Sequence, residues 1–147
     1  MAMELPADKL DFSALLLPGE CLAWGQASAE PTILTERLRA QSGAVPGLRA
    51  FVGMSWGTVF EGTGTLRFQS YCGAGHNRAL ARAGALDILP CHYSVLSEQL
   101  ARHVDVLLLN LADDGNGRFS FGAALEYLAP LVDSARLVIA EVNDQTP

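Results

Sequence analysis

Several things are scarce in this chain, and each scarcity removes a class of function. Basic residues number 10 against 16 acidic ones, for a formal net charge of −6, and they do not cluster. That balance repels a phosphate backbone, so nucleic acid is not an expected partner. The 147 residues hold only 3 cysteines, Cys21, Cys72 and Cys91, an odd number without the spacing of a disulfide framework. Free thiols in a reducing compartment follow. The N-terminus, MAMELPADKLDF, places acidic residues where a secretory signal carries positive charge and then an apolar core. No apolar run approaches the roughly 20 residues that span a bilayer. The expectation is a cytoplasmic protein with no membrane partner. Internal repeats and low-complexity segments are also missing.

Hydrophobic residues, by contrast, make up 50% of the chain and charged residues only 18%. Such a composition belongs to a globular domain, and the length suffices for one core without staples. It is apolar for a free-standing domain, which points to an interface and a homo-oligomer.

Residues 1–19 read as a lead-in, helical over 6–17 and closed by Pro18 and Gly19. Residues 20–147 read as one α/β domain. Short apolar or alternating runs predict strands at 20–25, 48–54, 65–71, 86–89, 104–111 and 137–142, the fifth buried on both faces. Helical patterns fall at 31–41, 77–83, 95–103 and 123–135, the second stopped by Gly84. Residues 57–64 form a connection rich in glycine and threonine, and Asp113 to Gly117 is the strongest turn signal. Strands alternating with helices predict a mostly parallel sheet with helices on both faces. The sequence stops just after the last strand, so an exposed face is expected there, to be covered by a following domain or a partner chain.

In a parallel sheet the loops after the strands share one edge, where such folds bind ligands. Those loops carry Gln26, Ser28 and Glu30, then Ser55, then residues 73–78, 92–94, Asp113 and Asp114, and Asn143. The loops of the opposite edge are blander. Two polar turns stand out, Gly73-Ala74-Gly75-His76-Asn77-Arg78 and Pro90-Cys91-His92-Tyr93-Ser94. Backbone amides at a helix start with Arg78 one turn in suit a carboxylate or phosphate, although a structural turn with a locally paired Arg78 fits equally.

Other patterns are weaker. Gly73-x-Gly75-x-x-Arg78 has an arginine where a dinucleotide fingerprint has its third glycine. Gly53-x-Ser55-x-Gly57 matches a nucleophile elbow, but the residues after it make a poor helix, and Ser55 reads as a turn residue. Cys72, His76, Cys91 and His92 fit no common metal spacing, so no metal is expected. The Asp113–Gly117 segment lacks the later ligands of a calcium loop. Glu141 and Asn143 share one face of the last strand, and Glu141 reads as an anchor for a neighbouring loop rather than as a catalyst.

Five segments in order, AWGQASAEPTILTERL (23–38), SYCGAGHNRAL (70–80), DILPCHYS (87–94), VDVLLLNLADDGNGRFSFG (104–122) and ARLVIAEVNDQTP (135–147), resemble the N-terminal domain of the acetyl-CoA hydrolase/CoA-transferase family, which includes 4-hydroxybutyrate and succinyl/acetate CoA-transferases. The resemblance implies one domain of a two-domain fold. The chemistry implied is movement of CoA between small carboxylic acids through a glutamyl-CoA thioester. The catalytic glutamate and most of the CoA-binding glycine motif belong to the second domain, which has no counterpart here. The chain alone is therefore expected to be inactive. Coenzyme A would be a substrate and no cofactor would be held tightly. The partners implied are acyl-CoA, small carboxylates and a second domain or partner chain. The residues expected to face the cleft are Gly73, Gly75, Asn77, Arg78, His92, Ser94 and Asn143, with Arg78 and the glycine amides orienting an acyl carboxylate. Two other readings stay open: a non-catalytic binding module of the same fold, and a serine acyl hydrolase using Ser55.

Overall fold

The structure is a computed structural model that describes residues 3–57, 60 and 65–146. Six parallel strands build its sheet: β1 (Cys21–Trp24), β2 (Arg49–Val52), β3 (Arg67–Ser70), β4 (Leu86–Ile88), β5 (Val106–Asp113) and, after a short antiparallel β6 (Phe119–Ser120), β7 (Leu137–Val142). The parallel strands lie in the order β4-β3-β2-β1-β5-β7, and β6 folds back on the end of β5. Helix α1 is Thr32–Gln41, α2 Asn77–Arg82, α3 Leu96–Leu100 and α4 Ala129–Ser134.

Alternation along the strands sorts the core into two layers. Leu22, Trp24, Val52, Phe68, Val106 and Leu108 meet Leu34 and Leu38 of α1 and Leu80 of α2. On the opposite face, Ala23, Phe51, Leu107 and Leu109 meet Leu96 and Leu100 of α3, Leu131 of α4 and Leu128 just before it. The order explains this division. From β1 to β4 the chain steps across the sheet in one direction, and from β4 to β5 and β7 it steps the other way. Right-handed crossovers put the helices of opposite steps on opposite faces. The reversal leaves a switch point between β1 and β5, at the carboxyl edge of the sheet.

Several boundaries differ from expectation. The lead-in is not one helix but two 3-10 turns, Ala7–Lys9 and Phe12–Ala14. Asp11 causes the break, because its carboxylate accepts from Ser13 N at 2.9 Å and ends one turn while starting the next. The lead-in is nonetheless docked: Phe12 and Leu16 are buried, and Arg136 bonds the Leu15 carbonyl and both oxygens of Glu20. The helix expected over 123–135 is confined to Ala129–Ser134. Glu126 has a φ of 50° and Tyr127 reaches across to the Trp24 carbonyl, so tertiary bonds shape the first part of that segment. The helix at 95–103 is shorter too, and the tight turn at Asp113–Gly117 leads into the unforeseen β6. The connection at 57–64 falls mostly outside the described residues. No helix among the described residues is long and apolar enough to cross a membrane.

Candidate functional site

The loops after β1, β2 and β3 are sewn together at the carboxyl edge. Gln26 follows β1, and its side-chain oxygen accepts from Met54 N at 2.9 Å and from the Tyr71 hydroxyl at 2.6 Å. Ala27 N donates to the Met54 carbonyl, and Ala27 itself has a φ of 48°. A non-glycine residue in that region is strained, and the bonds on either side hold it there. Glu30 is buried just before Pro31 and α1. Its two carboxylate oxygens take the Ser55 hydroxyl at 2.9 Å, Trp56 N at 3.1 Å and Gly57 N at 2.8 Å. Three bonds to one buried carboxylate immobilise the turn after β2.

The glycine turn after β3 docks on this platform. Ser55 and Gly75 form a parallel bridge, His76 N donates to the Ser55 carbonyl at 2.8 Å, and the His76 ring nitrogen Nδ1 lies 3.2 Å from the Gly57 carbonyl. Gly75 has a φ of 62° and no room for a β-carbon beside the Ser55 carbonyl, so glycine is required there. Asn77 is buried, and its side-chain amide donates to the Gly53 carbonyl. Gly73 packs near Ala81 of the short α2. Arg78 is exposed on the first turn of that helix. The turn is thus less open than an anion cradle, because the His76 amide is already used.

The second polar turn is local. Nδ1 of His92 sits 2.8 Å from the Ser94 hydroxyl and accepts from Ser94 N at 3.3 Å. Tyr93 ties it to the rest, meeting Tyr71 edge-on at 5.5 Å and Tyr127 at 6.2 Å between ring centroids. Burial pushes the Tyr71 hydroxyl up to about 12 and raises Tyr93, which also faces Glu126. Glu126 accepts from Gln26 N at 3.2 Å, and burial raises its carboxyl above the usual value in spite of that bond. Asn143 continues the edge of β7: its amide donates to the Leu111 carbonyl at 2.8 Å, and its side-chain oxygen accepts from Gln145 N at 2.9 Å.

Glu141 is the anchor that its position suggests. Its carboxylate accepts from Leu34 N at 3.0 Å in the first turn of α1, and burial raises its pKa although neighbouring helix amides pull it down. Asn110, its register partner on β5, has a side-chain oxygen that is buried without a hydrogen bond among the described residues. Ser55 directs its hydroxyl to the Glu30 carboxylate from a buried position, and the segment where the helix of an elbow would follow falls mostly outside the described residues. No group of three metal-ligating side chains is found among the described residues.

Sequence reasoning placed the two turns on the correct edge but passed over the residues that hold them. Gln26 and Glu30 read only as polar loop residues, and their long-range partners at 54–57 and 71 carry no sequence signal.

No family model matches the chain. Half of it, 77 residues, is 39% identical to a 4-hydroxybutyrate coenzyme A transferase of Clostridium kluyveri. In fold it is similar to RipA from Yersinia pestis, with a TM-score of 0.81 over 90% of the chain at 24% identity. A 4-hydroxybutyrate CoA-transferase from Porphyromonas gingivalis matches 88% of the chain with a TM-score of 0.57 at 22% identity. The chain thus shares the fold of RipA and of a CoA-transferase, and half of it is similar in sequence to a CoA-transferase. The matched segments cover only 18% of the Clostridium relative, 35% of the RipA chain and 30% of the Porphyromonas chain. The parallel sheet with helices on both faces is the architecture expected from the sequence.

Proposed function

We propose that this domain forms one wall of the active site of an acyl-CoA hydrolase or CoA-transferase. In this reading CoA moves between small carboxylic acids through a glutamyl-CoA thioester, and the nucleophilic glutamate lies outside these 147 residues. The observation that carries the reading is the commitment of the buried carboxylates near the carboxyl edge. Glu30 holds the turn at 55–57, and Glu141 holds the start of α1. Glu126 accepts from Gln26 N, and burial raises its pKa above the usual glutamate value. In this reading the buried carboxylates described on this edge serve to position its loops.

Within that role, Arg78 and the glycine turn at 73–75 meet the carboxylate of the acyl acceptor, and His92, Ser94 and Asn143 support the reacting thioester. Asn77 acts one step back, by fixing the turn to the Gly53 carbonyl. CoA arrives as a substrate rather than as a resident cofactor. The remainder of the enzyme is supplied by a second domain or a partner chain, self-association buries the exposed apolar surface, and the free thiols suit the cytoplasm.

The test uses the gene product isolated from its cells. Its intact mass is measured, and incorporation of labelled acetate into acetyl-CoA is followed. A mass well above 15.7 kDa, or a stoichiometric partner chain, together with exchange, is the expected result. A lone chain of that mass that exchanges no label would sink the proposal. Retained acyl-CoA binding without exchange would instead favour a non-catalytic binding module.

A further inference from the structure

Two non-glycine residues take a positive φ among the described residues, Ala27 at 48° and Glu126 at 50°, and they meet at one contact. Glu126 Oε2 accepts from Gln26 N at 3.2 Å, immediately before Ala27. Beside Glu126, the Tyr127 hydroxyl donates to the Trp24 carbonyl at 2.6 Å. Glu126 and Tyr127 thus clamp the chain on both sides of Gly25, where it leaves β1 at the switch point. Gly25 leaves no slack, since a β-carbon there would lie 2.6 Å from Ala29 Cβ. A strained backbone persists only where its surroundings hold it, and it gathers at ligand clamps and at segments that switch.

Glu126 is also the least secured of the carboxylates at this edge. Glu30 takes three donors from one turn, and Glu141 caps the first turn of α1. Glu126 has one backbone donor, and among the described residues no cation pairs with it. The groups that face it, Gln26 and the hydroxyls of Tyr93 and Tyr127, are uncharged at neutral pH. Ionising a half-buried carboxyl without a cation costs solvation. Turning it out to water relieves that cost and the strain at φ 50° together.

We infer that Glu126 is a positioning residue that holds the loop after β1 in its strained form while it keeps its proton, and releases it when the proton leaves. The bearing of this loop on turnover rests on the proposed acyl-CoA chemistry; the hold itself does not. Burial raises the Glu126 carboxyl above its usual 4.5, although Gln26 pulls it down. The held form therefore binds the proton more tightly than a released form in water, and rising pH favours release.

Amide hydrogen exchange of the complete gene product reads the loop directly. Corrected for the intrinsic rate, opening at Gln26 should rise by up to about tenfold per pH unit from 4.5 to the raised value and then level off. It should also be faster than at Leu108 in the buried β5, which exchanges only on global unfolding. Glu126→Gln has no proton to lose and should keep Gln26 protected throughout, whereas Glu126→Ala should open it at every pH. If the alanine variant does not fold, the glutamine variant decides. In turnover, the wild-type KM for acetyl-CoA should rise over the same range with kcat little changed, and Glu126→Gln should hold the low KM. Opening at Gln26 that ignores pH, or that is no faster than at Leu108, overturns the inference. A KM profile shared by wild type and Glu126→Gln overturns its link to turnover. A wild type that neither transfers label nor binds acyl-CoA overturns the proposed function and leaves the hydrogen-exchange result to decide the hold.

Discussion

Gly75 stands so close to the carbonyl of Ser55 that no β-carbon fits between them, and the two residues join the loops after β2 and β3. Gly75 is also at φ 62°, so replacement meets two obstacles at once. The left-handed conformation costs an alanine about 1–2 kcal/mol, and the clash adds to that. Gly75→Ala should therefore destabilise the domain by roughly 2 kcal/mol or more, read as a lower urea midpoint. Gly84 is the control. It is also at positive φ but has open space around it, so Gly84→Ala should cost less.

The Glu30 carboxylate serves three donors from one turn. Glu30→Ala leaves them without it, at a cost on the order of 2–4 kcal/mol. Glu30→Gln should recover part of the loss, because its amide oxygen can still take the Trp56 and Gly57 amides while its nitrogen faces the Ser55 hydroxyl, which also accepts. Urea unfolding of both variants checks this, and iodide quenching of Trp56 should rise in any variant that still folds. Wild-type stability in Glu30→Ala would show that the turn is held by something else.

Glu126 gives a signed pH dependence. Burial, the largest influence, raises its folded pKa above the usual 4.5. The folded state therefore holds this proton more tightly than the unfolded chain does. The associated stability is fully present below 4.5 and is lost as pH rises through the folded pKa. Glu126→Gln does not titrate. Its stability relative to wild type should improve between pH 4.5 and the raised value, and then level off. A flat difference across that range in urea titrations would mean that Glu126 is not desolvated.

Arg78 is exposed and among the described residues makes no structural tie of the kind that Asn77 makes. In the complete gene product, Arg78→Ala should raise KM for the acyl-acceptor carboxylate roughly tenfold, with little effect on stability. Asn77→Ala should do the reverse, lowering stability first, because it leaves the buried Gly53 carbonyl without that partner. Unchanged acceptor kinetics in Arg78→Ala would remove it from the site.

The sequence was informative wherever structure depends on neighbours in the chain. The last strand, Leu137–Val142, was legible to the residue, because alternation and a preceding helix stop define it. The start of α2 at Asn77 and the turn at Asp113–Gly117 were legible for the same reason, being local glycine and Asx chemistry. The segment at 123–135 misled, since its apolar spacing suits a helix. Tyr127 bonds a carbonyl 103 residues away, and that contact outweighs a few tenths of a kcal/mol of helix propensity per residue. The helix at 6–17 was overextended for a local reason, the Asp11 carboxylate that starts a new turn at Ser13, and that at 95–103 was shortened at both ends.

By itself, then, the sequence determined the α/β class, the parallel sheet and the edge on which the polar turns collect. Periodicity and turn chemistry act over a few residues and are written directly in the chain. The tertiary structure alone decided the strand order with its switch point between β1 and β5, the buried service of Glu30, the helix that Glu141 anchors, and the pinning of Trp56 against Gly75. Each of these joins residues far apart in sequence. A carboxylate becomes an anchor rather than a catalyst only when folding brings donors to it and takes water away.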